Sequence, residues 1–200
     1  MPPAIMFALQ GVLVFHVDAR RRSLAKVVSR LDLLKEGGRR TFLGPRPSGR
    51  PETPSRAFQR LGGEELRRCP GGAELVIALC GQGYRLALVA EEPAPEAAAA
   101  LRFLGLDDAF DLILTADDVP RGRPSPVAHR AAARLLAHHP RACVAVENTP
   151  AGVAAAKAAG MRCVAVASTH GEADLGQADM VVGDVSDLLP SSFVRLIGRA

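Results

Sequence analysis

The first strand-like segment of the chain ends without a reactive side chain. Residues 5–14 read IMFALQGVLV, an apolar run that enters a turn at Gly11 and leaves as a second apolar run. Strands of open α/β sheets usually present polar groups at their carboxyl ends, where ligands bind. Here the two outward positions are Ala8 and Gln10. A methyl group cannot act as a nucleophile and a neutral amide carries no charge for a cation, so this strand end predicts no chemistry of its own.

Polar side chains that could bind a ligand occur elsewhere in the sequence. Glu147 and Asn148 end another apolar run, and Thr149 follows at the start of a predicted helix. Backbone N–H groups at a helix start attract anions, here together with those around Gly11. Arg123 lies in a Gly- and Pro-containing loop, and a guanidinium binds phosphate through two parallel hydrogen bonds. Arg123 and these backbone N–H groups are therefore candidates for contact with a small anionic ligand.

Each candidate also has a structural interpretation. Arg123 could pair with Asp117 or Asp118, and a histidine beside a phenylalanine, as His16 is, more often packs than reacts. His16 and Asp18 follow the first turn, where they could instead supply acid–base chemistry. Both interpretations stay open at this stage. The candidate ligand-binding residues are therefore Gly11, His16, Asp18, Arg123, Glu147, Asn148 and Thr149.

The elements that would position these residues alternate between strand and helix after residue 68. The strand-like runs are almost wholly apolar, which predicts burial on both faces of a parallel sheet with helices on each side. With the N-terminal strand, about six strands form a doubly wound α/β fold. Helix starts are predicted at Ser125, as N-cap before Pro126, and at Thr149. The four cysteines form no CxxC pair, which predicts buried, reduced thiols and a cytoplasmic protein.

Residues 15–68 interrupt this alternation. They predict a small, basic helical insertion into a core made of residues 1–14 and 69–200, with a Pro-rich loop between a helix near residues 20–38 and a weaker one over 55–68. The insertion holds 14 Lys/Arg and 6 Asp/Glu, a net charge of +8 in a chain of net charge +4. A solvated helix face explains such charge, but a polyanion such as nucleic acid could also bind it. Few aromatic residues are interleaved for base stacking, and no run is long enough to cross a membrane.

Four segments resemble the haloacid dehalogenase (HAD) superfamily, in the branch of β-phosphoglucomutase and phosphoglycolate phosphatase. The longest and most specific is CVAVENTPAGVAAAKAAGMRCVAV; the others are IMFALQGVLV, CPGGAELVIALCGQGYRLALVAEE and DVPRGRPSPVAHRAAARLL. The resemblance spans nearly the whole chain. It implies a Rossmann-like, HAD-like core in which residues 15–68 are a cap, shorter than is usual in this branch.

The resemblance also implies a chemistry for each motif. Such enzymes use an aspartate nucleophile, a second aspartate two positions later, a Ser or Thr, a Lys, and acidic residues that bind Mg²⁺. In this sequence the corresponding positions hold other residues, while Glu147 keeps the one acidic group. We therefore expect no Mg²⁺ and no other cofactor. The degenerate positions are Ala8, Gln10, Ala90, Arg123 and Asn148.

Three hypotheses about function follow. The first is a pseudoenzyme of the HAD fold that acts by binding a protein partner or a small anionic ligand. The second is a hydrolase of the same fold with a metal-independent mechanism built on Glu147, His16, Asp18 and Arg123. The third is a basic module that binds polyanions through the insertion. The sequence leaves the oligomeric state open.

Overall fold

The computed structural model describes residues 3–17, 65–118 and 126–197. Its main feature is a parallel sheet of six strands, arranged in the order β5-β4-β1-β6-β7-β8. A separate two-stranded ribbon pairs β2 with β3. The strands are β1 Ala4–Phe7, β2 Val14–Val17, β3 Glu65–Arg68, β4 Arg85–Val89, β5 Leu112–Leu114, β6 Cys143–Glu147, β7 Arg162–Val166 and β8 Met180–Val182. The predicted doubly wound α/β fold is confirmed.

Helices cover both faces of the sheet. The α-helices are α1 Gly72–Gly81, α2 Ala94–Leu104, α3 Val127–Leu135, α4 Pro150–Ala159 and α5 Pro190–Ile197. Side chains alternate between the faces along each strand, so the core has two layers. Phe7 and Val146 pack in the layer under α1, α2 and α5, whereas Met6 and Ala145 pack in the layer under α3 and α4. The face on which a strand-end side chain lies therefore decides which helices it meets.

Local sequence explains where α4 begins and ends. The Thr149 hydroxyl accepts a hydrogen bond from the backbone N–H of Gly152 at 3.0 Å, and Pro150 occupies the first helical position. The helix stops at Gly160, whose φ of 88° is left-handed. α3 differs from its prediction. Pro126, not Ser125, is the N-cap residue, since its carbonyl accepts from the N–H of Arg130 at 2.9 Å; Ser125 lies outside the described residues.

The antiparallel ribbon corrects the prediction of a helical stretch over 55–68. In its last part, Glu65–Arg68 is extended and pairs with β2, with Val14 opposite Arg68 and Val17 opposite Glu65. Pairing with a distant strand overrides a weak helical pattern. Arg68 also donates to the carbonyl of Phe103 at 2.9 Å and lies over its ring. The ribbon stands where the predicted insertion joins the core, but residues 18–64 are outside the described part and the domain boundaries stay a prediction.

The thiols agree with the sequence prediction except at one position. All four cysteines are free, and Cys69, Cys143 and Cys163 are buried, whereas Cys80 on α1 is exposed. Cys80 falls on the solvent side because the buried positions of α1 are its neighbours Val76 and Leu79. Among the described residues no helix has the length and apolar character needed to span a bilayer. The cytoplasmic location stays a prediction.

Candidate functional site

The carboxyl edge of the sheet brings several predicted site residues together. From β1 the chain moves to β4 and β5 on one side and then returns to β6 on the other, which makes β1 the switch point where such folds bind ligands. Ala8 follows β1 and Ala90 follows β4, while β6 ends in Glu147 and continues into Asn148. The N–H of Ala8 donates to the carbonyl of Val146 at 3.0 Å. Four of the predicted positions therefore share one edge.

The turn after β1 depends on Gly11. Its φ of 74° is left-handed, and its N–H donates to the carbonyl of Val14 at 2.7 Å. A Cβ at this position would lie 2.6 Å from Cγ of Asn148, so the glycine also permits a close approach. The carbonyl of Gly11 accepts from the Ser168 hydroxyl at 2.5 Å, and Gln10 is exposed. The turn is thus held by packing and hydrogen bonds that need no reactive side chain.

Asn148 is the centre of a hydrogen-bond network. Its Nδ2 donates to Oγ1 of Thr169 at 2.8 Å, and its carbonyl lies 3.1 Å from Nδ1 of His170. Thr169 Oγ1 and His170 Nδ1 are 3.0 Å apart. Sequence reasoning missed these two residues and Ser168. The signal was available, because all three lie in the segment that follows β7 and so belong to the same edge of a parallel sheet.

Glu147 turns toward the layer of α3 and α4. It continues the face of β6 that carries Cys143 and Ala145, and only 9% of its side chain is exposed. Oε1 lies 3.0 Å from Nε2 of His129 on α3, whose side chain is 5% exposed. Since a carboxylate accepts, Nε2–H is the donor. His129 was not predicted as a site residue, although a histidine among the buried alanines of an amphipathic helix was a usable signal.

Of the other predicted residues, one has a structural role and three have side chains outside the described part of the chain. Thr149 caps α4 and so has a structural role. His16 is in β2, opposite Leu66, and its side chain lies outside the described residues, as do Asp18 and Arg123 entirely.

The two carboxylates suggested as partners of Arg123 have backbone partners. Asp117 accepts from the N–H of Ala94 at 2.9 Å. Asp118 accepts from both the N–H and the hydroxyl of Thr115, at 2.8 Å each. Both carboxylates therefore hold the loop after β5 in place.

Residues at the strand ends do not fit the Mg²⁺ that the resemblance implies. Magnesium prefers anionic oxygens in octahedral geometry. Ala8 offers a methyl group, Gln10 a neutral amide, and Asn148 an amide whose nitrogen already donates to Thr169. Glu147 supplies a carboxylate, but it faces His129. Within the described ranges, no three His, Cys, Asp or Glu side chains are grouped as metal ligands.

Thiol chemistry is also disfavoured at the buried cysteines of β6 and β7, which lie toward the amino edge of the sheet. Burial raises the pKa of the Cys163 thiol far above its usual range, and the charges of Glu147 and Asp179 add to the effect. Burial likewise raises the pKa of Cys143 to about 11. A thiol is nucleophilic only as the thiolate, so the raised pKa disfavours both cysteines as nucleophiles near neutral pH.

Comparison with known proteins identifies the family. A family model for haloacid dehalogenase-like hydrolases matches residues 16–160. The chain belongs to this family. The match begins after β1, and therefore after Ala8 and Gln10.

Solved structures of the predicted branch confirm the resemblance. The structure of CbbY from Rhodobacter sphaeroides in complex with phosphate is 25% identical in sequence and superposes with a TM-score of 0.65. The match covers 94% of this chain and 96% of the CbbY chain. β-Phosphoglucomutase from Clostridium difficile shares the fold at 18% identity, with a TM-score of 0.66 and coverage of 100% and 98%.

Curated relatives of this HAD-family chain include phosphatases. Validoxylamine A 7'-phosphate phosphatase of Streptomyces hygroscopicus subsp. limoneus is 36% identical over 118 residues, which are 59% of this chain and 55% of the relative. Hexitol phosphatase A of Escherichia coli is 34% identical over 125 residues, or 62% of this chain and 57% of the relative. The chain thus spans little more than half the length of either phosphatase.

Proposed function

We propose that this HAD-family chain does not form the aspartyl phosphate of its family and acts by binding. One observation carries the proposal: Ala8 stands at the end of the central strand β1, where the family pattern has its nucleophile. Covalent phosphoryl transfer needs an oxygen that attacks phosphorus. A methyl group has no lone pair to donate, whatever its neighbours supply.

The neighbours of Ala8 support the same conclusion. Ala90, after β4, is buried and has no hydroxyl to hold a phosphoryl oxygen. Asn148 carries a neutral amide where the family pattern has a carboxylate, and its Nδ2 donates to Thr169. A phosphatase of this kind also uses a divalent cation to neutralise charge. We propose that this chain works without one, since Ala8, Gln10 and Asn148 are poor ligands for it.

The proposed binding site is the carboxyl edge of the sheet. Its position at the switch point favours a ligand, and the hydroxyl and imidazole of Thr169 and His170 can form hydrogen bonds to one. The CbbY structure named above was determined with phosphate, which supports a small anionic ligand as one occupant. A protein partner at the same edge is the other occupant that this hypothesis includes.

A phosphatase assay with a restored variant tests the proposal. We expect the natural protein to be silent on a panel of phosphate monoesters with Mg²⁺. The variant carries Ala8→Asp, Gln10→Asp, Ala90→Thr, Arg123→Lys and Asn148→Asp. We expect this variant to hydrolyse phosphate monoesters. The matched control keeps Ala8 and carries the other four changes; it should stay silent. Hydrolysis by the natural protein that co-elutes with it on gel filtration and disappears in Glu147→Gln would overturn the proposal.

The same protein preparations test the two alternatives. EDTA-resistant hydrolysis by the natural protein would support the metal-independent hydrolase. Binding to nucleic acid that weakens steeply with salt would support the polyanion module. Of the arginines assigned to that module, the structure describes Arg67 and Arg68, which are exposed. Both alternatives stay predictions.

A further inference from the structure

The buried carboxylate of Glu147 is the acidic group that the chain keeps at the family's metal-binding motif. A buried carboxylate must be paired or hydrogen-bonded, or its burial is strongly unfavourable. In enzymes that have the full metal-binding motif of the family, a bound cation would stabilise the buried carboxylate. The described residues meet it differently, through α3 and the first turn of α4.

Within the ranges that the structure describes, two contacts hold this carboxylate. Oε1 accepts a hydrogen bond from Nε2 of His129 at 3.0 Å. The rest of the group packs on Gly152 in the first turn of α4, so closely that a Cβ there would lie 2.6 Å from Cδ of Glu147. The positive end of a helix dipole stabilises an anion at such a position. Both contacts come from the helices α3 and α4, and neither contact requires an ion.

The contact is also the hydrogen bond that orients His129. Its Nδ1 is buried and has no hydrogen-bond partner among the described residues. A buried ring nitrogen without a partner is unfavourable, so packing alone gives little reason for a histidine here. The bond to Glu147 supplies the reason.

We infer that His129 keeps Glu147 from binding a divalent cation, so that an internal hydrogen-bond donor has replaced the metal of the family site. This inference rests on the proposed function. The opposite role is also physically sensible, because a histidine that hydrogen-bonds a carboxylate ligand can orient it toward a metal. The two roles predict opposite effects when His129 is removed, which makes them distinguishable.

A Mn²⁺ titration followed by electron paramagnetic resonance separates them, since bound Mn²⁺ loses its sharp solution signal. The test uses the full chain in three forms. One carries Asn148→Asp, which adds a carboxylate and keeps His129. The second adds His129→Leu. The matched control adds Glu147→Gln to the second, so that the carboxylate released by the histidine is absent.

We expect His129→Leu to tighten Mn²⁺ binding to the Asn148→Asp protein by at least about tenfold, and Glu147→Gln to abolish the gain. Equal binding in the first two forms, weaker binding without His129, or no binding in either would each overturn the inference. If the leucine variant does not fold, His129→Gln replaces it, since glutamine keeps an amide donor on a smaller side chain. The same comparison then applies, with a smaller expected increase in Mn²⁺ affinity. The phosphatase assay of the natural protein is independent of this titration, so either proposal can fail alone.

Discussion

The amino edge of the parallel sheet and the carboxyl ends of its central strands β4, β1 and β6 use charged side chains differently. At the amino edge, Asp179 lies 2.6 Å from Nζ of Lys157 and 2.9 Å from Nη1 of Arg162. The same carboxylate accepts from the N–H of Cys163 at 2.8 Å. An aspartate before β5 forms a similar group, since Asp111 pairs with an arginine and accepts a backbone N–H of β4. These charges hold the starts of strands in register.

At the carboxyl edge, the three central strands do not end in carboxylates that accept backbone N–H groups of neighbouring strands. β4 and β1 lead into Ala90 and Ala8, and β6 leads into the neutral Asn148. Glu147 is acidic, but its carboxyl group is hydrogen-bonded to His129 inside the protein. The difference teaches that the charged groups of the amino edge serve the backbone of the fold, since both aspartates accept backbone N–H groups. At Ala8, Ala90 and Asn148, where the resemblance implies reactive groups, the strand ends carry neutral side chains.

Removal of His129 should have the largest effect on this comparison. His129→Leu leaves Glu147 buried without its donor, and we expect the free energy of unfolding to fall by about 3 kcal/mol. Urea denaturation at pH 7 measures it. The double variant His129→Leu with Glu147→Met removes both partners and should recover most of the loss. A single variant as stable as the natural protein would mean that Glu147 is satisfied by α4 alone.

Gly152 offers the next test, because its neighbour is the same carboxylate. Gly→Ala inside a helix normally stabilises it, but a Cβ here collides with Glu147. We expect Gly152→Ala to lower the free energy of unfolding by about 2 kcal/mol. Gly81→Ala is the matched control, since nothing lies within 4 Å of its Cβ position, and it should change stability by less than about 1 kcal/mol in the favourable direction. Similar values for the two variants would show that the carboxylate moves aside without penalty.

The sequence was sufficient to predict the sheet and the helix layers, because both depend on local pattern. The apolar runs that became β4, β6 and β7 could only be buried, and the Thr149–Pro150 start and Gly160 stop of α4 are set by residues adjacent in the chain. Family motifs likewise placed Ala8 and Asn148 at one edge. These inferences required no knowledge of how distant segments pack.

Contacts between distant segments were not predictable in this way. His129 and Glu147 are 18 residues apart and meet only because α3 packs over β6. Ser168 reaches the carbonyl of Gly11 from 157 residues away. The strand Glu65–Arg68 has a sequence that suits a helix, and its pairing with β2 decided its conformation. Each depends on tertiary structure, which periodicity does not encode.

The amino edge should respond to pH through Asp179. Burial tends to raise the pKa of this carboxyl, but hydrogen bonds from Lys157, the N–H of Cys163 and Arg162 outweigh it and lower the pKa. A carboxyl with a lowered pKa in the folded state stabilises the fold fully above its unfolded pKa of about 3.9, and this contribution is lost as the pH falls through the lower, folded value.

We therefore expect Asp179→Asn to lower the free energy of unfolding by about 1.5 kcal/mol at pH 7. The difference from the natural protein should shrink as the pH falls below about 4, as measured by urea denaturation across that range. Asp174→Asn, at an exposed aspartate, controls for the loss of one charge and should show little change at either pH. A difference that grows in acid would contradict the assigned direction.

The smallest expected effect concerns the start of α4, beside Glu147. Thr149→Ala removes the acceptor for the N–H of Gly152, and loss of such a cap lowers stability by about 1 kcal/mol. Thr149→Ser keeps the hydroxyl and should stay close to the natural protein in the same denaturation experiment. If alanine also has no effect, the cap is redundant, and the Glu147 carboxylate already stabilises this helix terminus. In that case the Glu147 carboxylate at the end of β6 would stabilise the fold, as Asp179 does at the opposite edge. The two edges would then differ in where their carboxylates lie and not in what those carboxylates do.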